Sequence, residues 1–158
     1  VVSRAFTLIE LVLVLVLIGI LAVFALPRFA DLERQARIAT LNGIAGSMRS
    51  TIAIVQGKAR AQGLSPAASN PVAGANQASY LVTTEAGTSE VDWRNLCPES
   101  RAELADTLAM PDHIGLAQTS GLQQRVTNQS TWVGYDLANC TVIYDSFACT
   151  VTVIDAGC

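Results

Sequence analysis

One carboxylate, Glu10, stands inside the otherwise apolar stretch "AFTLIELVLVLVLIGILAVFALPRF" at residues 5–29. From Phe6 to Leu26 there are twenty-one residues, and Thr7 and Glu10 are the only polar ones. At 1.5 Å rise per residue a helix of that length covers about 30 Å, the hydrocarbon thickness of a bilayer. An ionised acid in that environment costs roughly 2.5–3.5 kcal/mol, so it calls for a partner. Two are available in principle: the unpaired amides and partial positive charge of the helix N-terminus, or a cation brought by another molecule.

The other residues with chemical potential are four cysteines, Cys97, Cys140, Cys149 and Cys158, and one histidine, His113. The cysteine spacings are unlike the CxxC pairs of a zinc ribbon, and an even number in one half of the chain reads as two disulfides formed in an oxidising compartment. Three pairings are open. A Cys140–Cys158 bridge, which would tie down the end of the sequence and leave Cys97 with Cys149, is the preferred one. His113, beside Asp112 in "MPDHIG", reads as a solvated or structural loop residue. There is no G-x-S-x-G elbow, P-loop or H-E-x-x-H helix, so no catalysis, cofactor or metal is expected.

The elements that must position these residues follow from periodicity. After Pro27 the pattern becomes amphipathic: Phe29, Leu32, Ala36 and Ala39, then Ile44, Met48, Ile52, Val55 and Ala59, recur at steps of three and four. One helix is predicted from near Thr7 to about Lys58, interrupted or bent at Pro27. Residues 61–78 form a small-residue loop with two prolines. "SYLVTT" (79–84) reads as a strand, and "CPESRAELADTLAM" (97–110) as a short helix with Ser100 and Glu103 at capping-box spacing. "STWVGYDL" and "NCTVIYDSFACTVTVID" supply further strands, the latter folding back near Asp145-Ser146 as a hairpin. Trp93 and Trp132 are assigned to the core. With 158 residues, 51% of them apolar, the chain has room for one ordinary domain beside the apolar stretch.

Charge is uneven. Residues 28–60 carry six bases against two acids, and residues 61–158 three bases against ten acids, a basic stalk leading into an acidic head. The bases are spread around the helix and mixed with Asp31 and Glu33, so subunit ion pairs or a solvated surface are expected and nucleic-acid binding is not. Arg28, Arg34 and Arg37 after the span, against Arg4 before it, would put the following segment in the cytoplasm by the positive-inside rule. The cysteines require the opposite, and we give them precedence.

"FTLIELVLVLVLIGILAVFALPRF" closely resembles the N-terminus of type IV pilins: an aromatic first residue (Phe6), an acid five residues into the mature chain (Glu10), a glycine within the span (Gly19) and a proline near its end (Pro27). "PRFADLERQARIATLNGIAGSM" and "IVQGKA" look like the mannose-sensitive haemagglutinin subgroup of type IVa pilins, with weaker echoes in "NCTVIY" and the terminal "GC". The resemblance implies an α+β type IV pilin fold, a long N-terminal α-helix packed against an antiparallel β-sheet head. It divides the chain into a leader remnant (1–5), a transmembrane and polymerisation helix (6–27), the amphipathic second half of that helix (28–58) and a disulfide-bearing globular head (59–158).

The resemblance also implies roles. Prepilin peptidase would cut between Ala5 and Phe6, where alanine stands in place of the family's usual glycine, and Phe6 would then be N-methylated. Glu10 would pair with the Phe6 amine of a neighbouring copy, and the helix would loosen between Gly19 and Pro27. The partners implied are further copies of the chain, the inner membrane before assembly and the pilus assembly machinery, and the product is an extracellular fibre for adhesion, surface attachment or motility. The alternative within the same chemistry is a pseudopilin of a type II secretion system. A cleavable secretory signal is disfavoured by Glu10 within the apolar run and by its direct continuation into an amphipathic helix.

Overall fold

The computed structural model describes residues 6–71, 79–115 and 121–158. The chain forms two compact units divided between Ala36 and Arg37, a boundary that falls inside the first helix, α1 (Leu8–Ala61).

In the first unit the strongly apolar part of α1 makes a helix with no buried face: Leu11, Leu15, Ile18 and Leu21 are all exposed, as are Phe29 and Leu32 further along. Straight-chain and leucine side chains lose little freedom in a helix. The many valines and isoleucines would be weak helix formers in water, but every backbone group in hydrocarbon must bond within its own segment, which selects a helix there. Of the two outcomes expected at Pro27, interruption or bend, the interruption does not occur, for α1 runs through both Gly19 and Pro27. A single missing N–H removes one rung from a ladder of 54 residues, and propagation from both sides carries the helix past it.

The second unit is an α+β layer. The part of α1 from Arg37 onward presents Leu41, Ala45 and Met48 to one core cluster with Met110, Val133, Cys140, Val142 and Tyr144. Two turns further along, Val55 and Ala59 join Tyr80, Val82, Val91 and Leu96 in a second cluster. These helix positions are spaced by three, four and seven, the signature of one face. Phe29, Leu32, Ala36 and Ala39, which share the predicted periodicity, stay exposed.

Two antiparallel sheets face that helix segment. The smaller pairs β1 (Leu81–Thr84) with β2 (Gly87–Glu90). The larger runs in order β3 (Gln123–Val126), β4 (Ser130–Asp136), β5 (Cys140–Asp145) and β6 (Thr150–Ile154). Val133 lies opposite Val142, and Thr131 opposite Tyr144, so alternate residues of the two central strands point into the core. The register shifts between Gly134 and Asp136, where the backbone of Cys140 and Thr141 leaves no space for a Cβ on Gly134.

The predicted β1, β4 and the β5–β6 hairpin are present. β2 and β3 were not anticipated, because "GTSE" and "QQRV" lack the apolar alternation that marks a half-buried strand.

The helix expected over residues 97–110 does not form. Those residues make bends and isolated bridges, Val91 with Pro98 and Ser89 with Leu108, and only one helical turn follows, α2 (Met110–His113). The reason is a competitor for the backbone. The buried Glu90 carboxylate takes the amide of Glu103 at 2.7 Å, the amide of Leu104 at 3.3 Å and the hydroxyl of Thr107 at 3.3 Å, all through Oε2. Asp106 adopts a left-handed φ of 61°, which a helix interior excludes.

Two disulfides cross-link the head, Cys97 to Cys149 and Cys140 to Cys158. The first ties the 97–110 segment to the β5–β6 turn. Asn95 strengthens that junction by donating to the carbonyls of Ser146 and Phe147, and the Tyr144 hydroxyl donates to Pro98 O at 2.5 Å. Burial, with Glu99, Asp92 and Asp145 nearby, holds that phenol far above the ordinary tyrosine range. The second disulfide holds residues 155–158 against the start of β5, where Gly157 donates its amide to Asn139 O and sits too close to Asn139 for any side chain.

Candidate functional site

The N-terminal end of α1 has a structure of its own. The helix begins at Leu8, so Thr7 is its N-cap and Glu10 its third residue. The Glu10 carboxylate accepts two hydrogen bonds at Oε2, from the Thr7 amide at 2.9 Å and from the Thr7 hydroxyl at 2.7 Å. The Thr7 hydroxyl in turn accepts the Glu10 amide at 3.3 Å. This reciprocal arrangement is a capping box, and "TLIE" has the required spacing. Its sequence signal, a hydroxyl three residues before an acid, is the one that marked Ser100 and Glu103.

Among the described residues, the sequence neighbours of this polar ring are apolar. Phe6, Leu8 and Ile9 are 82%, 80% and 75% exposed, and the window Leu8–Ala25 has a mean hydropathy of 3.1 with none of it buried. It is long and apolar enough to cross a membrane. At Gly19 nothing lies within 4 Å of where a Cβ would stand, so the residue leaves a notch in the exposed surface. Pro27 contributes backbone to the helix, and Ala5 lies outside the described residues.

His113, which the sequence reading set aside, is held in the head. Its Nε2 lies 2.9 Å from Ser89 Oγ, and burial pulls its pKa below the usual histidine range against the opposing pull of Asp112. It lines a groove with Ile54, Lys58, Thr84 and Glu85, of which Lys58 and Glu85 form an ion pair at 2.6 Å. Among the described residues no group of three histidine, cysteine, aspartate or glutamate side chains is placed to hold a metal ion.

Of the two tryptophans expected in the core, Trp93 packs against the second cluster and Trp132 belongs to neither. Each is only partly buried and carries an arginine on its face: Arg94 lies 4.3 Å from the Trp93 ring, and Arg125 lies 4.2 Å from Trp132. Arg94 is also stacked on Phe147 at 4.1 Å and paired with the buried Asp92 at 2.7 Å, which locks the loop beside the Cys97–Cys149 bridge. Arg37 packs on Tyr135, and Arg49 donates to Val151 O, so two of the stalk bases serve the head's own packing.

Known proteins bear on this combination of an apolar helix, a capped acid and a disulfide-bonded antiparallel head. The chain is 47% identical over 58 residues to the type IV narrow pilus major component PilA5 of Thermus thermophilus, a match covering 37% of this chain and 50% of that protein. It is 31% identical over 99 residues to the type IV major fimbrial protein FimA of Dichelobacter nodosus, covering 61% of this chain and 60% of that protein. Over the matched segments the chain is similar to type IV pilus and fimbrial proteins. It spans half to three-fifths of the length of the curated relatives it matches. No protein-family model matches it, and no solved structure matches it significantly. The relatives carry the names of pilus and fimbrial proteins and do not distinguish a subgroup.

Proposed function

We propose that this chain is the major structural subunit of a type IV pilus, polymerising through its apolar N-terminal helix into an extracellular fibre used for adhesion, surface attachment or motility. The observation that carries the reading is the helix Leu8–Ala25, membrane-length, unburied along its whole course, with one acid at its head. Such a surface is stable in lipid or against other helices like it, and in water it is neither. The pilus and fimbrial names of the relatives support the same reading.

In this account the subunit waits in the inner membrane, prepilin peptidase cleaves between Ala5 and Phe6, and the new Phe6 amine is methylated. The assembly machinery then withdraws the helix into a bundle, where Glu10 of one copy meets the Phe6 amine of another. Pairing opposite charges in a low-dielectric core recovers part of the cost of burying each and fixes the stagger between neighbours. The glycine at 19 and the proline at 27 are where the helix yields as the rods pack. The disulfides suit an oxidising exterior.

The decisive experiment combines negative-stain microscopy of fibres sheared from cells with the N-terminal mass of their main protein. The expected mass begins at Phe6. Glu10→Val should leave the membrane-inserted subunit at normal abundance and eliminate fibres. Normal fibres from that variant would refute the pairing.

A further inference from the structure

The capping box and the exposed surroundings of Glu10 together suggest a division of labour between the two oxygens of one carboxylate. Both hydrogen bonds from Thr7 converge on Oε2, leaving Oε1 without a hydrogen bond among the described residues. Among the described residues the side chains around this ring are apolar and exposed, a surface suited to lipid or to a second helix rather than to water. A flexible glutamate normally samples several rotamers, and holding it in one removes that freedom before a partner arrives.

We infer that Thr7 is a positioning residue: its amide and hydroxyl hold Glu10 through Oε2 in each separate subunit, so that Oε1 is presented in a fixed place to a cation of a second copy. The inference rests on the polymerisation reading above and adds a residue to it. Internal capping and pairing between subunits then act together rather than in competition, because they use different oxygens. The amide donor is supplied by any residue at position 7 except proline, so the specific contribution of threonine is the hydroxyl.

Three substitutions in the full chain test this, with sheared fibre measured relative to the subunit pool in the membrane. Thr7→Ser keeps the hydroxyl and should assemble as the parent does. Thr7→Val removes it at nearly constant shape and should lower fibre yield about five-fold, the size of one net hydrogen bond expressed as an equilibrium ratio. Thr7→Gly separates positioning from helix initiation, because glycine is almost as good an N-cap yet has no hydroxyl. It should behave like Thr7→Val.

If Thr7→Gly assembles normally while Thr7→Val does not, the residue only starts the helix and the inference fails. Normal yield from Thr7→Val overturns it directly. In both cases fibre loss in Glu10→Val leaves the polymerisation reading standing, whereas normal fibres from Glu10→Val remove that reading and this inference with it.

Discussion

The same four-residue pattern occurs twice in this chain and ends in opposite structures. At Thr7-x-x-Glu10 the hydroxyl and carboxylate close a reciprocal ring and a 54-residue helix follows. At Ser100-x-x-Glu103 the spacing is equal, the following residues include Leu104 and Leu108, and no helix forms. There the Ser100 hydroxyl donates to Gln129 O at 3.0 Å, and the Glu103 amide, the donor that a capping hydroxyl would have taken, goes to Glu90. A cap is a local bond of about 1 kcal/mol. It starts a helix where the alternatives are no better. It loses where a buried carboxylate from a distant strand takes the same amides.

The contrast can be broken at its centre. Glu90→Ala removes the acceptor for two amides and one hydroxyl in a buried site, and should lower the urea-unfolding free energy of the full chain in detergent micelles by about 2–4 kcal/mol. A loss under 1 kcal/mol would mean that Glu90 does not organise residues 97–110. Ser100→Ala is a smaller disturbance, about 1 kcal/mol in the same assay, because Gln129 O also accepts from the amide and hydroxyl of Ser146.

Glu103→Ala should change stability by no more than about 0.5 kcal/mol, since its side chain is exposed and only its backbone is engaged. An effect near that of a lost cap would revive the capping box at this position.

The smallest effect concerns pH. His113 has a folded pKa depressed mainly by burial, so the unfolded chain binds its proton more readily. Its contribution to stability is complete above the unfolded histidine value, near 6.5, and is lost as pH falls from there through the lower folded value. His113→Gln should therefore flatten part of the decline in urea midpoint between about pH 7 and pH 5. If the parent and the variant decline in parallel, His113 is not the group responsible.

Much of this molecule was legible as sequence wherever the signal was local. The apolar run, broken only by Glu10, marks residues 8–25 as a membrane-length helix, because a helix satisfies its own backbone with nothing from outside the run. β4 and the β5–β6 hairpin are similarly written in β-branched and aromatic runs, and Glu10 stood out because one charge among apolar neighbours is visible without a fold. Tertiary structure decided what depends on distant partners: which of three cysteine pairings forms, which helix residues face the core, and whether 97–110 becomes a helix. Val133 and Val142, Cys97 and Cys149, and Glu90 and Glu103 are each brought together only by folding, so each contact is set by competition across the whole head rather than by neighbours in sequence.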